Sequence, residues 1–297
     1  MENFKYHLLV ILATTLVAGS FIASEKIAGI VNPVSLTLLR FLCASGILLP
    51  FVLMRRKWRN AVFFTLPRAF IISFFYAGFF IGFFESLNTT TSLNTGALFT
   101  LVPLLTALLS IAMFKEKITR KMLVVYIMGI FGTIWVVFGG EIKNVISFSL
   151  NQGDYIFLVA ILFMSLYSIS MKMLYRNDEM IVLVFCTLIG GSVWLAIALY
   201  VLEEPLQWSL LKGEATMYMA YLIIGATLAT VYLYQVTTVA LGPGRVNSYI
   251  YLNPAIVSVL ILVVNGKSIP VLVIPGILIS ILATIILQVN KAEMIKT

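Results

Sequence analysis

The chain has 297 residues, of which 61% are hydrophobic and 11% charged, with a mean hydropathy of +1.05. A soluble chain of this length could hold two domains, but this hydropathy leaves no room for a solvated domain surface. The formal charge of +8 would suit nucleic acid, yet the cations gather in the turns between apolar runs, and no nucleic-acid partner is called for.

A hydrocarbon core about 30 Å thick needs roughly 20 apolar residues per helix. Runs such as Leu8–Ser24, Val34–Met54, Ala69–Asn88 and Val271–Val289 meet or approach that length with few charges. In chain order the expected spans are 7–28, 33–54, 69–88, 94–114, 122–139, 154–174, 180–202, 217–240, 245–265 and 270–289. Barrel strands would alternate polar and apolar residues, and runs such as Leu260-Ile-Leu-Val-Val264 do not. The spans are therefore helices, whose backbone bonds close within the segment. The first run follows Lys5 without a small-x-small cleavage site, so it is read as span 1 and not as a signal peptide.

With a cytoplasmic N-terminus, fifteen basic residues fall on the inner side and four on the outer, Arg40 lying within a span. That asymmetry predicts a multi-pass protein of the cytoplasmic (inner) membrane with both termini cytoplasmic. The basic loops would also meet anionic lipid headgroups. Cys43 and Cys186 fall at different depths, too far apart for a bridge that needs Cα atoms within about 7 Å.

The polar link at 141–153 divides the chain near its midpoint, giving a first five-helix unit (1–140), a second (154–290) and a tail (291–297). Pro103 in span 4 matches Pro254 in span 9. That register sets Gly96 on Asn247, Thr100 on Tyr251, Ala107 on Ser258 and Glu116 on Lys267. Because five is odd, the second unit enters the membrane from the opposite side. The expected fold is all-α: ten transmembrane helices as two inverted five-helix repeats, an arrangement that puts a substrate site near the midplane.

Several features occur in one order along the chain: Gly19-Ser20-Phe21 and Lys26 in span 1, Arg40 early in span 2, Pro103 in span 4, Phe114-Lys-Glu-Lys117, and Gly129 with Gly132 in span 5. In this the chain resembles the EamA-like family of the drug/metabolite transporter superfamily. The resemblance implies export (efflux) of small organic metabolites by alternating access, with no cofactor. The chain departs from the family pattern in both halves: Val17-Ala18 stands where a tryptophan often precedes the Gly-Ser of span 1, and in the second half Lys267 stands where an acidic residue is expected and Phe185 about where an arginine would be.

Ionisable residues inside a span are functional candidates, because a charge in lipid is costly. Arg40 in span 2 and Glu85 in span 3 lie at similar expected depths, so an ion pair between them, structural or ion-coupling, is geometrically possible. Gly78, Gly82 and Glu85 share one helix face, and a Gly-xxx-Gly face normally meets another helix. The second candidate is a cavity lined by Asn247 and Tyr251 from span 9, Gly96 and Thr100 from span 4, Tyr167 and Ser168 from span 6, and Thr230 and Tyr234 from span 8. Packing alone is the competing reading of these polar residues. Pro103 and Pro254 interrupt the helical ladder and are candidate hinges. No metal-ligand spacing occurs.

The expected function is secondary transport of amino acids, related zwitterions or amphipathic drugs, with protons as a candidate coupling ion. Monomer and homodimer both stay open. The alternatives are an intramembrane enzyme, poorly supplied by one histidine and one deeply placed carboxylate, and a non-transporting receptor or assembly factor.

Overall fold

The computed structural model describes residues 2–27, 29–90, 92–115, 118–147, 150–266 and 268–294. The positions expected to match across the repeat at Glu116 and Lys267, together with Lys117 and Lys296, lie outside them, as do the side chains of Phe21, Glu25 and Lys291.

Among the described residues ten helices are long and apolar enough to cross a membrane: Phe4–Ser24, Pro33–Met54, Arg56–Ser86, Asn94–Phe114, Arg120–Val137, Gln152–Leu174, Met180–Val201, Glu214–Leu241, Pro243–Val263 and Val271–Val289. They are numbered spans 1 to 10. Local chemistry starts several of them. Asn32 accepts from the Val34 and Ser35 amides ahead of span 2, with Pro33 in the first turn. Asn151 and Asp154 form a reciprocal capping box that opens span 6.

The expected long loop at 55–68 is instead helix. Span 3 runs unbroken from Arg56 to Ser86, 31 residues with Pro67 inside. Trp58 explains it: the indole is buried with Val52, Val182 and Leu183, and the Arg55 guanidinium lies 4.2 Å over its ring. This apolar contact carries the helix past the basic residues. The link at 141–153 contains one short helix, Ile142–Ile146.

Three spans are irregular within their length, and span 10 opens with a 3₁₀ turn, Val271–Val273. Span 4 is two helices, Ser92–Phe99 and Val102–Phe114, with Pro103 in the first turn of the second. Span 9 is Pro243–Ser248, a 3₁₀ segment Tyr249–Leu252, then Asn253–Asn265 opening with Pro254. A proline lacks the N–H its preceding turn would bond, so both ladders fail just before it. Span 8 carries a π segment, Ile224–Ala229.

Span 3 packs along spans 6 and 7, span 1 along spans 8 and 9, span 4 along span 6, span 2 on span 7, and span 5 along span 10. Exchanging each span for the one five away turns the 3–6 contact into 8–1 and the 4–6 contact into 9–1. Glycines set the closest approaches. A Cβ on Gly82 would stand 3.0 Å from that of Ala160, and one on Gly132 2.9 Å from the Gly276 carbonyl. Spans 5 and 10 thus touch backbone to backbone.

Candidate functional site

The polar residues buried between the helices gather in two connected groups. The first is built on Asn247. Its Nδ2 donates to Thr106 Oγ1 (2.7 Å) and Ser168 Oγ (3.0 Å), joining spans 9, 4 and 6. All three side chains are buried, and a buried amide needs such partners.

The second group begins one residue before Ser168. Tyr167 stacks on Tyr76 with ring centroids 4.5 Å apart and planes at 24°, and Tyr76 stacks on Phe41 at 5.4 Å and 14°. Spans 6, 3 and 2 thereby contribute one aromatic column. Gly191 of span 7 makes room for it, since a Cβ there would lie 2.6 Å from the Phe41 ring. Arg40, next to Phe41 in sequence, stands beside Tyr76, the middle ring of the column. Its Nε donates to Thr227 Oγ1 (2.9 Å) and its Nη2 to the Ala226 carbonyl (3.3 Å), both in the π segment. Gln235 stands beside Tyr167, the ring that ends the column. It donates from Nε2 to Thr187 Oγ1 (3.1 Å), while its buried Oε1 has no hydrogen-bond partner among the described residues. Tyr234 faces Thr14 of span 1 at 3.4 Å.

Arg40 and Glu85 do not form the expected ion pair. Arg40 turns to span 8, whereas Glu85 is exposed in the last turn of span 3. The glycine face that carries Glu85 is committed to span 6, where a Cβ on Gly78 would run into the Phe163 ring.

Tyr251 also departs from expectation. It does not join Asn247 but is fully buried against span 5, its hydroxyl donating to the Tyr126 carbonyl at 3.2 Å and its ring filling the space over Gly129. The 3₁₀ segment explains this: each residue advances about 120° instead of about 100°, so spacing i, i+4 no longer shares a face. Thr100 bonds back to Ala97, and Gly96 faces Val137 of span 5. Thr230 bonds back to Ala226 within its own helix.

Thr106, Tyr76, Gln235, Thr187 and Thr227 belong to the groups but were not singled out in the sequence. Isolated polar residues in apolar runs were the available signal, strongest for Gln235.

Polar contacts tie both ends of the bundle. At the end carrying most cations, Arg68 makes a two-pronged contact with Asp178 (2.8 and 3.0 Å), which also accepts from Thr65, and exposed Lys57 meets Glu179 at 2.6 Å. Burial, with Asp178 and Glu179 alongside, pushes the Tyr175 phenol above its ordinary pKa. His7 of span 1 bonds the Tyr249 hydroxyl at 2.7 Å. At the opposite end, buried Asp154 accepts from Thr90 and Asn94 as well as its cap amide. Among the described residues no group of three His, Cys, Asp or Glu could hold a metal ion.

The sequence model of the EamA-like transporter family matches residues 4–138 and again 151–289. A Bacillus subtilis (strain 168) protein described as an uncharacterized transporter, YyaM, is 22% identical over 215 residues, covering 70% of this chain and 69% of its own. A crystal structure of another protein superposes with a TM-score of 0.76 over 98% of both chains at 19% identity, a likeness of fold. With ten apolar helices and both matches of the family model, the chain belongs to the EamA-like transporter family and is an integral, multi-pass membrane transporter of the drug/metabolite type.

Proposed function

We propose that this chain is a secondary active transporter that exports small organic solutes across the cytoplasmic membrane by alternating access, with both termini cytoplasmic. The observation that carries this reading is the buried polar and aromatic column, to which spans 2, 3, 6, 7 and 8 contribute, lying beside the Asn247 group between two proline-broken spans. Arg40 on the π segment and Gln235 Oε1 are costly to hold in a membrane interior unless a passing solute uses them. Two inverted repeats would let spans 4 and 9 bend as opposite gates around this column. Pro103 and Pro254 are the hinges in this reading, and the contacts of Arg68 with Asp178 and of Asp154 with Thr90 close the two ends.

Counterflow in reconstituted vesicles tests it. Vesicles preloaded with unlabelled solute should transiently accumulate the labelled form through a transporter. An enzyme would alter the label chemically, and a receptor would leave it outside. Coupling to protons is read from the same vesicles by imposing a pH gradient; a solute that then moves only down its own gradient marks a uniporter.

A further inference from the structure

Arg40 is 9% exposed, yet its partners are a neutral hydroxyl and a neutral carbonyl. Its third nitrogen, Nη1, has no acceptor among the described residues, and no described carboxylate lies within 4 Å of the guanidinium. A buried cation without an opposite charge is unfavourable, and its fork of donors matches a carboxylate. Arginine could serve only to cap the π segment, but a neutral donor such as glutamine would do that without burying a charge. Arg40 stands beside Tyr76, whose ring is stacked between Phe41 and Tyr167, and beside Tyr167 stands the bare acceptor of Gln235.

We infer that Arg40 anchors the carboxylate of the transported solute, whose flat apolar body lies along the Phe41–Tyr76–Tyr167 column and whose far end donates a hydrogen bond to Gln235 Oε1. The site then selects organic carboxylates over their neutral amides and over amines. This rests on the transport reading above and narrows its solute class. Charge-assisted bonds to a carboxylate are about twice as strong as neutral ones, which sets the direction of the preference.

The probes are 4-hydroxyphenylacetate, its amide, phenylacetate and tyramine, their equilibrium binding measured on the full-length protein in lipid vesicles. Wild type should bind 4-hydroxyphenylacetate at least tenfold tighter than the amide. Arg40→Gln should remove that preference while elution profile and melting temperature hold, and Arg40→Lys should keep part of it. Gln235→Leu should remove the advantage of 4-hydroxyphenylacetate over phenylacetate and leave the acid-over-amide ratio alone. Equal binding of acid and amide, an acid preference that survives Arg40→Gln, or binding of none of the four probes overturns the inference. Counterflow separates it from the reading beneath it. If tyramine exchanges and the acid does not, transport stands and the carboxylate site falls. If the acid binds through Arg40 but never exchanges, the site stands and transport falls.

Discussion

Tyr167 lies almost flat on Tyr76, one ring from each matched half of the chain, with centroids 4.5 Å apart. The contact is therefore a seam between the halves, and any motion of one against the other must slide or part these rings. Stacked aromatic pairs contribute about 0.5–1.5 kcal/mol beyond the area they bury, small enough to be broken and remade in a cycle. Tyr167→Phe should retain the stack and most counterflow activity. Tyr167→Ala should lose activity several-fold with a modest fall in melting temperature. Equal activity in both variants would remove the seam from the mechanism.

Asn247 serves Thr106 and Ser168 together, so its loss strands two buried hydroxyls. Asn247→Ala should destabilise the protein by about 1–3 kcal/mol, read as a lower melting temperature in detergent. Thr106→Val and Ser168→Ala should each cost less, because the amide keeps one partner. A double-mutant cycle between Thr106→Val and Asn247→Ala should show coupling.

The two ion pairs at the cation-rich end are unequal. The Arg68 side chain is 23% exposed and that of Asp178 8%, whereas the Lys57 and Glu179 side chains are 79% and 41% exposed. Asp178→Asn should cost about 1–3 kcal/mol, less than a fully buried pair, and Arg68→Gln with Asp178→Asn should cost less than the sum of the two. Glu179→Gln should fall within roughly 0–1 kcal/mol of wild type. Thermal unfolding of the single and double variants checks the order.

Spans 5 and 10 meet at glycine. A Cβ on Gly276 would approach the Gly132 carbonyl at 2.7 Å, an obstacle of backbone that cannot rotate away. Gly276→Ala and Gly132→Ala should each destabilise by about 1–3 kcal/mol. Gly46→Ala, with nothing within 4 Å of the new methyl, should be neutral or better. Yields and melting temperatures of the three proteins decide it.

Glu85 is exposed and apart from Arg40. Glu85→Gln should leave transport and its pH dependence unchanged, and its effect should add to that of Arg40→Gln. Non-additivity between them would mean that they pair in another state of the cycle.

The ten spans were legible because length and apolarity alone decide them, and the breaks before Pro103 and Pro254 because a missing N–H acts locally. Side-chain phase was not. Tyr251 was expected beside Asn247 on ideal helical spacing, and four residues of 3₁₀ backbone turned it onto span 5. The partner of Arg40 depends on which neighbour its face meets and on a π segment, Ile224–Ala229, that no residue type announces. Only the burial of Trp58 with Val182 and Leu183 of span 7 shows why the helix continues through Arg56, Lys57 and Arg59.

That continuous span 3 bears on the membrane itself. Thirty-one residues extend about 46 Å at 1.5 Å each, against a hydrocarbon core of about 30 Å. The surplus is taken up by tilt or by protrusion among the headgroups, where exposed Arg56, Lys57 and Arg59 sit a turn or two from exposed Phe63 and Phe64. The helix that carries Tyr76 thus also reaches the headgroup level with basic and aromatic side chains. Bilayer thickness and anionic lipid content act on a helix of this length and charge, and through Tyr76 they bear on the aromatic column.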